Sequence, residues 1–110
     1  MVMMAIATER NSVAQHFGRC PSYTLVTIEN GRETARQTIG NPGHEPGFLP
    51  KFLREKGANY IVAGGMGPMA KTLFDQCGIV VIMGITGSIN EVVHMYLKGT
   101  LKPGENVCDH

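Results

Sequence analysis

The sequence has few cysteines and no apolar run of the length that a membrane-spanning helix needs, which is about 20 residues. The first ten residues also lack the basic start and long apolar stretch of a signal peptide. The three cysteines, Cys20, Cys77 and Cys108, are widely spaced and odd in number, so they do not indicate a disulfide framework. We therefore expect a cytoplasmic protein with reduced thiols and no membrane partner.

Charge is also sparse, since only 17% of the residues are charged and the formal net charge is +1. The chain thus lacks the basic footprint of a nucleic-acid-binding protein, and we expect no nucleic acid as a partner. The 43% of hydrophobic residues is typical of a globular protein, and 110 residues suffice for one core but not two. We predict a single domain over residues 1–110, with a flexible tail at 99–110.

The periodicity of the apolar residues predicts five strands and three helices. A continuous apolar run at 2–7 is typical of a strand buried on both faces, and the alternating run at 22–28 also favours a strand. Asn30-Gly31 predicts a hairpin that leads to a polar edge strand at 32–39. The other predicted elements are a helix at 48–56, a strand at 59–63, a helix at 68–77, a strand at 79–83, and a helix at 88–98 with Ser88 and Glu91 in a capping box.

This order of elements predicts an α/β fold. The hairpin makes its two strands antiparallel, whereas strands joined through helices are parallel with right-handed crossovers. The simplest sheet has five strands in the order 3-2-1-4-5, counted along the chain, with strand 2 antiparallel and helices on both faces. We therefore predict a three-layer α/β/α, ribonuclease H-like fold.

The carboxylates of a nuclease are missing from the predicted sheet. Two-metal phosphoryl chemistry needs carboxylates that converge on central strands, but the predicted strands at 2–7, 59–63 and 79–83 contain neither Asp nor Glu. The sequence also has no G-x-S-x-G, C-x-x-C or H-E-x-x-H motif. We therefore expect no nuclease activity and assign no catalytic residue.

The segment HFGRC at 16–20 places His16, Arg19 and Cys20 within five positions. In an open α/β sheet, ligands bind outside the carboxyl ends of the strands, where this loop is predicted to lie. Imidazole and thiolate are metal ligands, and Arg19 beside them would favour a thiolate and attract an anion. A free cysteine is most often a small buried hydrophobic residue, so a structural role for Cys20 stays open.

A second loop, Gly64-Gly65-Met66-Gly67, is predicted to leave the same end of the sheet, and we call the loops 16–20 and 64–67 together the mouth. Met66 either fills the core or offers a thioether. The stretch 64–72 nearly matches two nucleotide motifs, but Pro68 removes a backbone donor that a phosphate loop would use. An anion site made of glycine amides and a helix N-terminus is the better interpretation.

Two further segments carry candidate ligands. The glycine-rich loop at 40–47 contains His44 and leaves the far edge of the predicted sheet, from where it can fold over the mouth. The last three residues of the sequence include Cys108 and His110, and a C-x-H arrangement either binds a metal or is an arbitrary terminus. Both interpretations of that segment stay open.

Several short motifs span nearly the whole chain. They are V-x-x-HFGRC-P at 13–21, IENG at 28–31, NPGH-x-PGFLP at 41–50, GGMG at 64–67, GIVV-x-x-G at 78–84 and LKG-x-L at 97–101. Each motif is weak alone, but together they resemble the dinitrogenase iron–molybdenum cofactor biosynthesis family, which includes NifX and the C-terminal domain of NifB. The resemblance implies a ribonuclease H-like fold, and it implies binding rather than catalysis.

The resemblance also implies a ligand, namely the iron–molybdenum cofactor, an iron–sulfur precursor or a related molybdenum-containing cluster, bound transiently. Such clusters are anionic and rich in sulfide. Cys20 or His16 would anchor the metal, Arg19 would neutralise charge, and His44 would close the site. The amides of Gly64, Gly65, Met66 and Gly67 would donate to the cluster, and Cys108 and His110 are further candidate metal ligands. The implied partner is a cluster donor or acceptor protein. The oligomeric state, a monomer or weak homodimer, stays open, because the polar strand at 32–39 can remain a protected edge or pair with a second copy.

Two functions of other classes stay open. The first is a small-molecule or nucleotide-sensing module that uses the same glycine-rich mouth without a metal. The second is a redox enzyme that uses Cys20 as a thiolate. Metal content distinguishes a cluster carrier from both alternatives.

Overall fold

The structure, a computed structural model, describes residues 1–41 and 48–101, which form six strands, three α-helices and one 3₁₀ helix. The six strands are β1 (Val2–Glu9), β2 (Ser12–Val13), β3 (Ser22–Glu29), β4 (Arg32–Gly40), β5 (Tyr60–Val62) and β6 (Val80–Ile82). The three helices are α1 (Phe48–Lys56), α2 (Pro68–Gln76) and α3 (Ile89–Leu97), and a short 3₁₀ helix spans Phe17–Arg19. The predicted mixed α/β class is confirmed.

The strands form one mixed sheet in the order β4-β3-β1-β5-β6, and the two-residue strand β2 pairs with the end of β1. The neighbours β1–β3 and β3–β4 are antiparallel, whereas β1–β5 and β5–β6 are parallel. Thr8 of β1 faces Ser22, which in turn faces Gly40 at the end of β4. The carboxyl ends of β1, β4, β5 and β6 therefore lie at the same end of the sheet.

The core lies on both faces of β1, because successive side chains of a strand point to opposite faces. Ala5 and Ala7 pack in the cluster under α1 and α2, which includes Leu53. Met4 and Ile6 pack in the cluster under α3. The prediction that the first strand is buried on both faces is confirmed, although this strand continues to Glu9, whose side chain is exposed.

The hairpin between β3 and β4 has the predicted turn. Asn30 and Gly31 have φ values of 52° and 76°, and a type I′ turn requires positive φ at both central residues. β4 is an edge strand whose residues are mostly exposed, as its polar sequence predicts. An irregularity opposite Thr27 and Ile28 shifts the register, so Glu33 and Arg36 lie on the same face of the strand.

The predicted capping box begins α3. The Glu91 backbone amide donates to Ser88 Oγ at 3.1 Å, and the Ser88 amide donates to Glu91 Oε1 at 3.0 Å. These bonds satisfy two amides that the first helical turn would otherwise leave without partners. Among the described residues, no helix is long and apolar enough to cross a membrane.

Replacing Ser88 with alanine is expected to lower the free energy of unfolding by about 1 kcal/mol, the usual cost of losing such a cap. Hydrogen bonds from the Ser88 amide and then the hydroxyl lower the pKa of the Glu91 carboxyl. The ionised carboxylate therefore stabilises the fold above its unfolded pKa, and this contribution is lost as the pH falls through the folded pKa. Urea denaturation between about pH 6 and about pH 3 should show a smaller loss of stability in Ser88→Ala than in the parent. If the free energy of unfolding fell by the same amount in the two proteins over this pH range, the contribution of the capping box would be contradicted.

Candidate functional site

The two loops of the mouth are joined by main-chain hydrogen bonds at the carboxyl end of the sheet. His16 and Gly65 form a parallel β-bridge, in which the Phe17 amide donates to the Gly65 carbonyl at 3.0 Å. The Gly64 amide donates to the Ala14 carbonyl at 3.0 Å. The structure therefore brings 16–20 and 64–67 together, and Gly64 and Gly65 are buried between them.

Glycine is required at Gly64 because two backbones meet there. A Cβ at this position would lie 2.9 Å from the Gln15 carbonyl oxygen and 3.2 Å from the Ala14 carbonyl oxygen. The situation at Gly67 differs, since a Cβ there would have no heavy atom within 4 Å. Gly64 therefore permits the close approach of two backbones, whereas Gly67 lies at an open surface.

The 3₁₀ helix at Phe17–Arg19 is anchored by the ring of Phe17. This ring packs edge-on to Phe74 of α2, with centroids 5.0 Å apart, and lies 5.7 Å from the ring of Tyr23. All three rings are buried. Packing of Phe17 into the core leaves Arg19 exposed and His16 half-buried at the surface of the mouth.

Cys20 has its thiol turned into the protein. The side chain is buried, and Sγ donates to the Phe17 carbonyl at 3.2 Å. The Tyr23 hydroxyl donates to the same carbonyl at 3.1 Å. Burial raises the pKa of the Cys20 thiol, which disfavours the thiolate that the sequence predicts beside Arg19. The redox alternative needs that thiolate, so this arrangement does not favour it.

Met66 and Gly67 lead from the mouth into α2. Met66 is buried in the cluster under α1 and α2, so of its two possible roles the structure shows the filling of the core. Gly67 is the N-cap of α2 and Pro68 is its first residue, as predicted. The described residues provide neither a side-chain cap nor an acidic residue in the first turn of α2. The positive end of this helix therefore faces the mouth without a carboxylate to offset it.

Asn41 ties the end of β4 to the HFGRC segment. Its side-chain Nδ2 donates to the Cys20 carbonyl at 2.8 Å, and its backbone amide donates to the Pro21 carbonyl at 3.0 Å. Asn41 therefore lies beside the mouth. His44 lies outside the described residues, as do Cys108 and His110, and their predicted roles stay predictions.

Metal ligands are few at this end of the molecule. Within residues 1–41 and 48–101, no group of three or more His, Cys, Asp or Glu side chains is arranged to hold a metal ion. The Gly64 amide donates to the Ala14 carbonyl and is therefore not available to a cluster, contrary to the prediction. Arg19, His16 and the first amides of α2 are polar groups that the described residues bring to the mouth. Such a set suits an anion that accepts hydrogen bonds better than a bare metal cation.

Sequence reasoning missed three residues that build the mouth. Tyr23 and Phe74 hold the Phe17 turn from below, and neither lies in a motif that marks such a role. Asn41 does carry a signal, because it precedes Pro42 and Asn-Pro commonly begins a turn.

Comparisons with known proteins identify related chains. The family model described as "Dinitrogenase iron-molybdenum cofactor" matches residues 1–99. The protein "Uncharacterized protein MJ0580" of Methanocaldococcus jannaschii is 33% identical over 110 residues, which cover 96% of this chain and 93% of that protein. The crystal structure of PH0822 has a TM-score of 0.86 and 31% identity, covering 93% of this chain and 94% of that one. The apo form of the orange protein from Desulfovibrio gigas has a TM-score of 0.79 at 22% identity, covering 96% and 95%, and is similar in fold.

Proposed function

The chain belongs to the dinitrogenase iron–molybdenum cofactor family, and on that premise we propose that it binds and carries an anionic metal–sulfur cluster. The cargo is the iron–molybdenum cofactor, one of its precursors or a related molybdenum or iron–sulfur cluster, held transiently. The partner is a cluster donor or acceptor protein in the cytoplasm, and the chain itself performs no catalytic step. We also propose that it works as one domain of ribonuclease H-like topology, an assignment supported by the antiparallel β1, β3 and β4 beside the parallel β5 and β6.

The observation that carries this proposal is the union of the two loops at the bridge between His16 and Gly65. It joins the loop that carries the exposed Arg19 to the loop that leads into the N-terminus of α2. Cluster sulfides accept hydrogen bonds and carry negative charge, so amide and guanidinium donors stabilise them. The first turn of α2 has no acidic residue that would weaken the attraction between the positive end of this helix and an anionic cluster.

The roles differ from one candidate residue to the next. His16 is the candidate metal ligand, and Arg19 neutralises the charge of the cluster. We give Cys20 the role of positioning the turn rather than that of a metal ligand, because its buried thiol donates to the Phe17 carbonyl. His44, Cys108 and His110 stay candidate ligands. Because few side chains hold the cargo, release to an acceptor requires few bonds to break.

The test is anaerobic loading of the purified apo-protein with a molybdenum–iron–sulfur cluster and, separately, with tetrathiomolybdate plus copper. After gel filtration, metal per chain and visible absorbance are measured. We expect near-stoichiometric retention of at least one of these clusters, and about a tenfold weaker affinity in Arg19→Ala, because a charge-assisted bond is lost. Arg32→Ala is the matched control, since Arg32 is exposed at the opposite end of the sheet and should not change binding.

Further variants identify the anchor. Cys20→Ser should retain the cluster, whereas His16→Ala should lose most of it. If Cys20→Ser folds but does not retain the cluster, the thiol anchors the metal, and the positioning role proposed for Cys20 is contradicted. Retention of neither cluster would contradict the carrier function. Binding of an organic anion without metal would then favour the sensing module, which needs only the amides of the mouth and of α2.

A further inference from the structure

A polar cavity lies between the start of α3 and the strands β3 and β4, away from the two loops of the mouth. Its volume is about 200 Å³. Sites for drug-sized ligands usually measure about 300–1,000 Å³, so this cavity suits a smaller molecule. Six polar residues line it, namely Asn11, Thr24, Arg36, Thr38, Ser88 and Asn90.

The buried wall of the cavity presents a hydrogen-bond acceptor. Thr8 Oγ1 donates its single proton to the Ile6 carbonyl at 2.6 Å. The Oγ1 atoms of Thr8 and Thr24 lie 2.7 Å apart, so the proton between them must come from Thr24. A hydroxyl has one proton and two lone pairs, and Thr24 Oγ1 therefore has only acceptor capacity left for an occupant. Thr24 is 3% exposed, so that capacity is not met by bulk water.

Arg36 and Asn90, which also line the cavity, present donors in fixed positions. Arg36 Nε and Nη2 donate to the Glu33 carboxylate at 2.6 and 2.9 Å, and Nη1 donates to Asn90 Oδ1 at 2.7 Å. These bonds hold the guanidinium rigid but use three of its five protons. They also orient the Asn90 amide, because its oxygen faces Arg36. The Asn90 NH₂ group and two guanidinium protons are thus available to an occupant.

The charges around the cavity are already compensated. The Glu33 carboxylate neutralises Arg36 in a two-bond pair, and Glu91 compensates the positive end of α3 through the capping box. An anion entering the cavity would lose its hydration without meeting a net positive charge. A neutral molecule avoids that cost.

We propose that this cavity binds a small uncharged polyol, of triose to hexose size. Each hydroxyl of a polyol both donates and accepts, so one hydroxyl donates to Thr24 Oγ1 while its neighbours accept from Asn90 and Arg36. A carboxylate without a hydroxyl lacks the donor that Thr24 requires. Inorganic phosphate keeps a hydroxyl at neutral pH, but its charge disfavours it in a cavity whose own charges are compensated. The site is independent of the cluster proposed for the mouth, and it is tested without any metal.

The experiment uses the full ¹⁵N-labelled chain, titrated with glycerol, D-ribose and D-glucose and, separately, with inorganic phosphate. We expect saturable amide shifts for one of the polyols at residues 11, 24, 36, 38 and 88–90, and none for phosphate there. Thr24→Val should raise the Kd of that polyol about tenfold, as expected for one lost hydrogen bond in a buried site, and Thr38→Val about threefold, because Thr38 is exposed. Thr34→Val is the matched control on β4, because Thr34 lies outside the cavity.

Thr38 is exposed, so Thr38→Val keeps the test valid even if the buried Thr24→Val fails to fold. The proposal is overturned if none of the three polyols gives saturable shifts at this cavity. It is also overturned if phosphate binds there more tightly than the polyols, or if Thr38→Val and Thr34→Val bind equally well.

Discussion

Replacing Gly64 with alanine is expected to lower the free energy of unfolding by about 3 kcal/mol, at the upper end of the usual cost of overpacking. The added Cβ would lie 2.9 Å from the Gln15 carbonyl oxygen and 3.0 Å from Gln15 Cα. Both are main-chain atoms, so neither can rotate away, and the two loops of the mouth must separate. Urea denaturation followed by circular dichroism measures the loss, and cluster retention should fall with it.

The matched control is Gly67→Ala, three positions further along the same loop. Gly67 has φ −68° and ψ 157°, which any residue can adopt, and an added Cβ meets no heavy atom within 4 Å. Alanine is only a poorer N-cap than glycine, so the expected loss is about 1 kcal/mol or less. If both variants lost the same stability, close approach of the backbones would not be the reason for glycine at Gly64.

Replacing Phe17 with alanine is expected to cost about 3–5 kcal/mol, as truncation of a buried aromatic side chain does. The ring is 6% exposed and contacts the rings of Tyr23 and Phe74. Its loss leaves a cavity under the turn that presents Arg19. We therefore expect weaker cluster retention even at temperatures where the variant is still folded, measured by metal per chain after gel filtration.

Phe48→Ala is the control for this truncation. Phe48 is 42% exposed at the start of α1, where its ring stacks on Phe52. Removal of an exposed ring should change the free energy of unfolding by about 0.5 kcal/mol and leave retention unchanged. Retention by Phe17→Ala equal to that of the parent would show that the turn holds its shape without this anchor.

The parts of the fold that were predictable from the sequence depend on local signals. A tight hairpin turn requires positive φ, which Asn30-Gly31 adopts readily, and Ser88 with Glu91 makes a capping box. The turn and the cap therefore appear where the sequence indicates them. The continuous apolar run of β1 is typical of a strand buried on both faces, which the structure shows. β2 has only two residues, Ser12–Val13, and so has no periodicity to detect.

The side chains of the mouth were harder to predict, because their orientation depends on distant residues. The Cys20 thiol donates to the Phe17 carbonyl, three positions earlier. The burial that raises its pKa, however, depends on residues far away in the sequence, such as Phe74. Met66 had two possible environments, and only the packing of α2 against the sheet decides between them. The meeting of the loops itself was predictable, because connections from the carboxyl ends of neighbouring parallel strands start at the same edge.

The bridge between His16 and Gly65 also bears on how this scaffold can diversify. The two walls of the mouth are joined through main-chain atoms, and these atoms are the same whatever the side chains are. Exposed positions such as Gln15, Arg19 and Met69 can therefore vary without disturbing the frame that carries them. Changes of cargo preference should accumulate at those positions with little loss of stability, whereas Gly64 and Phe17 should tolerate almost no replacement.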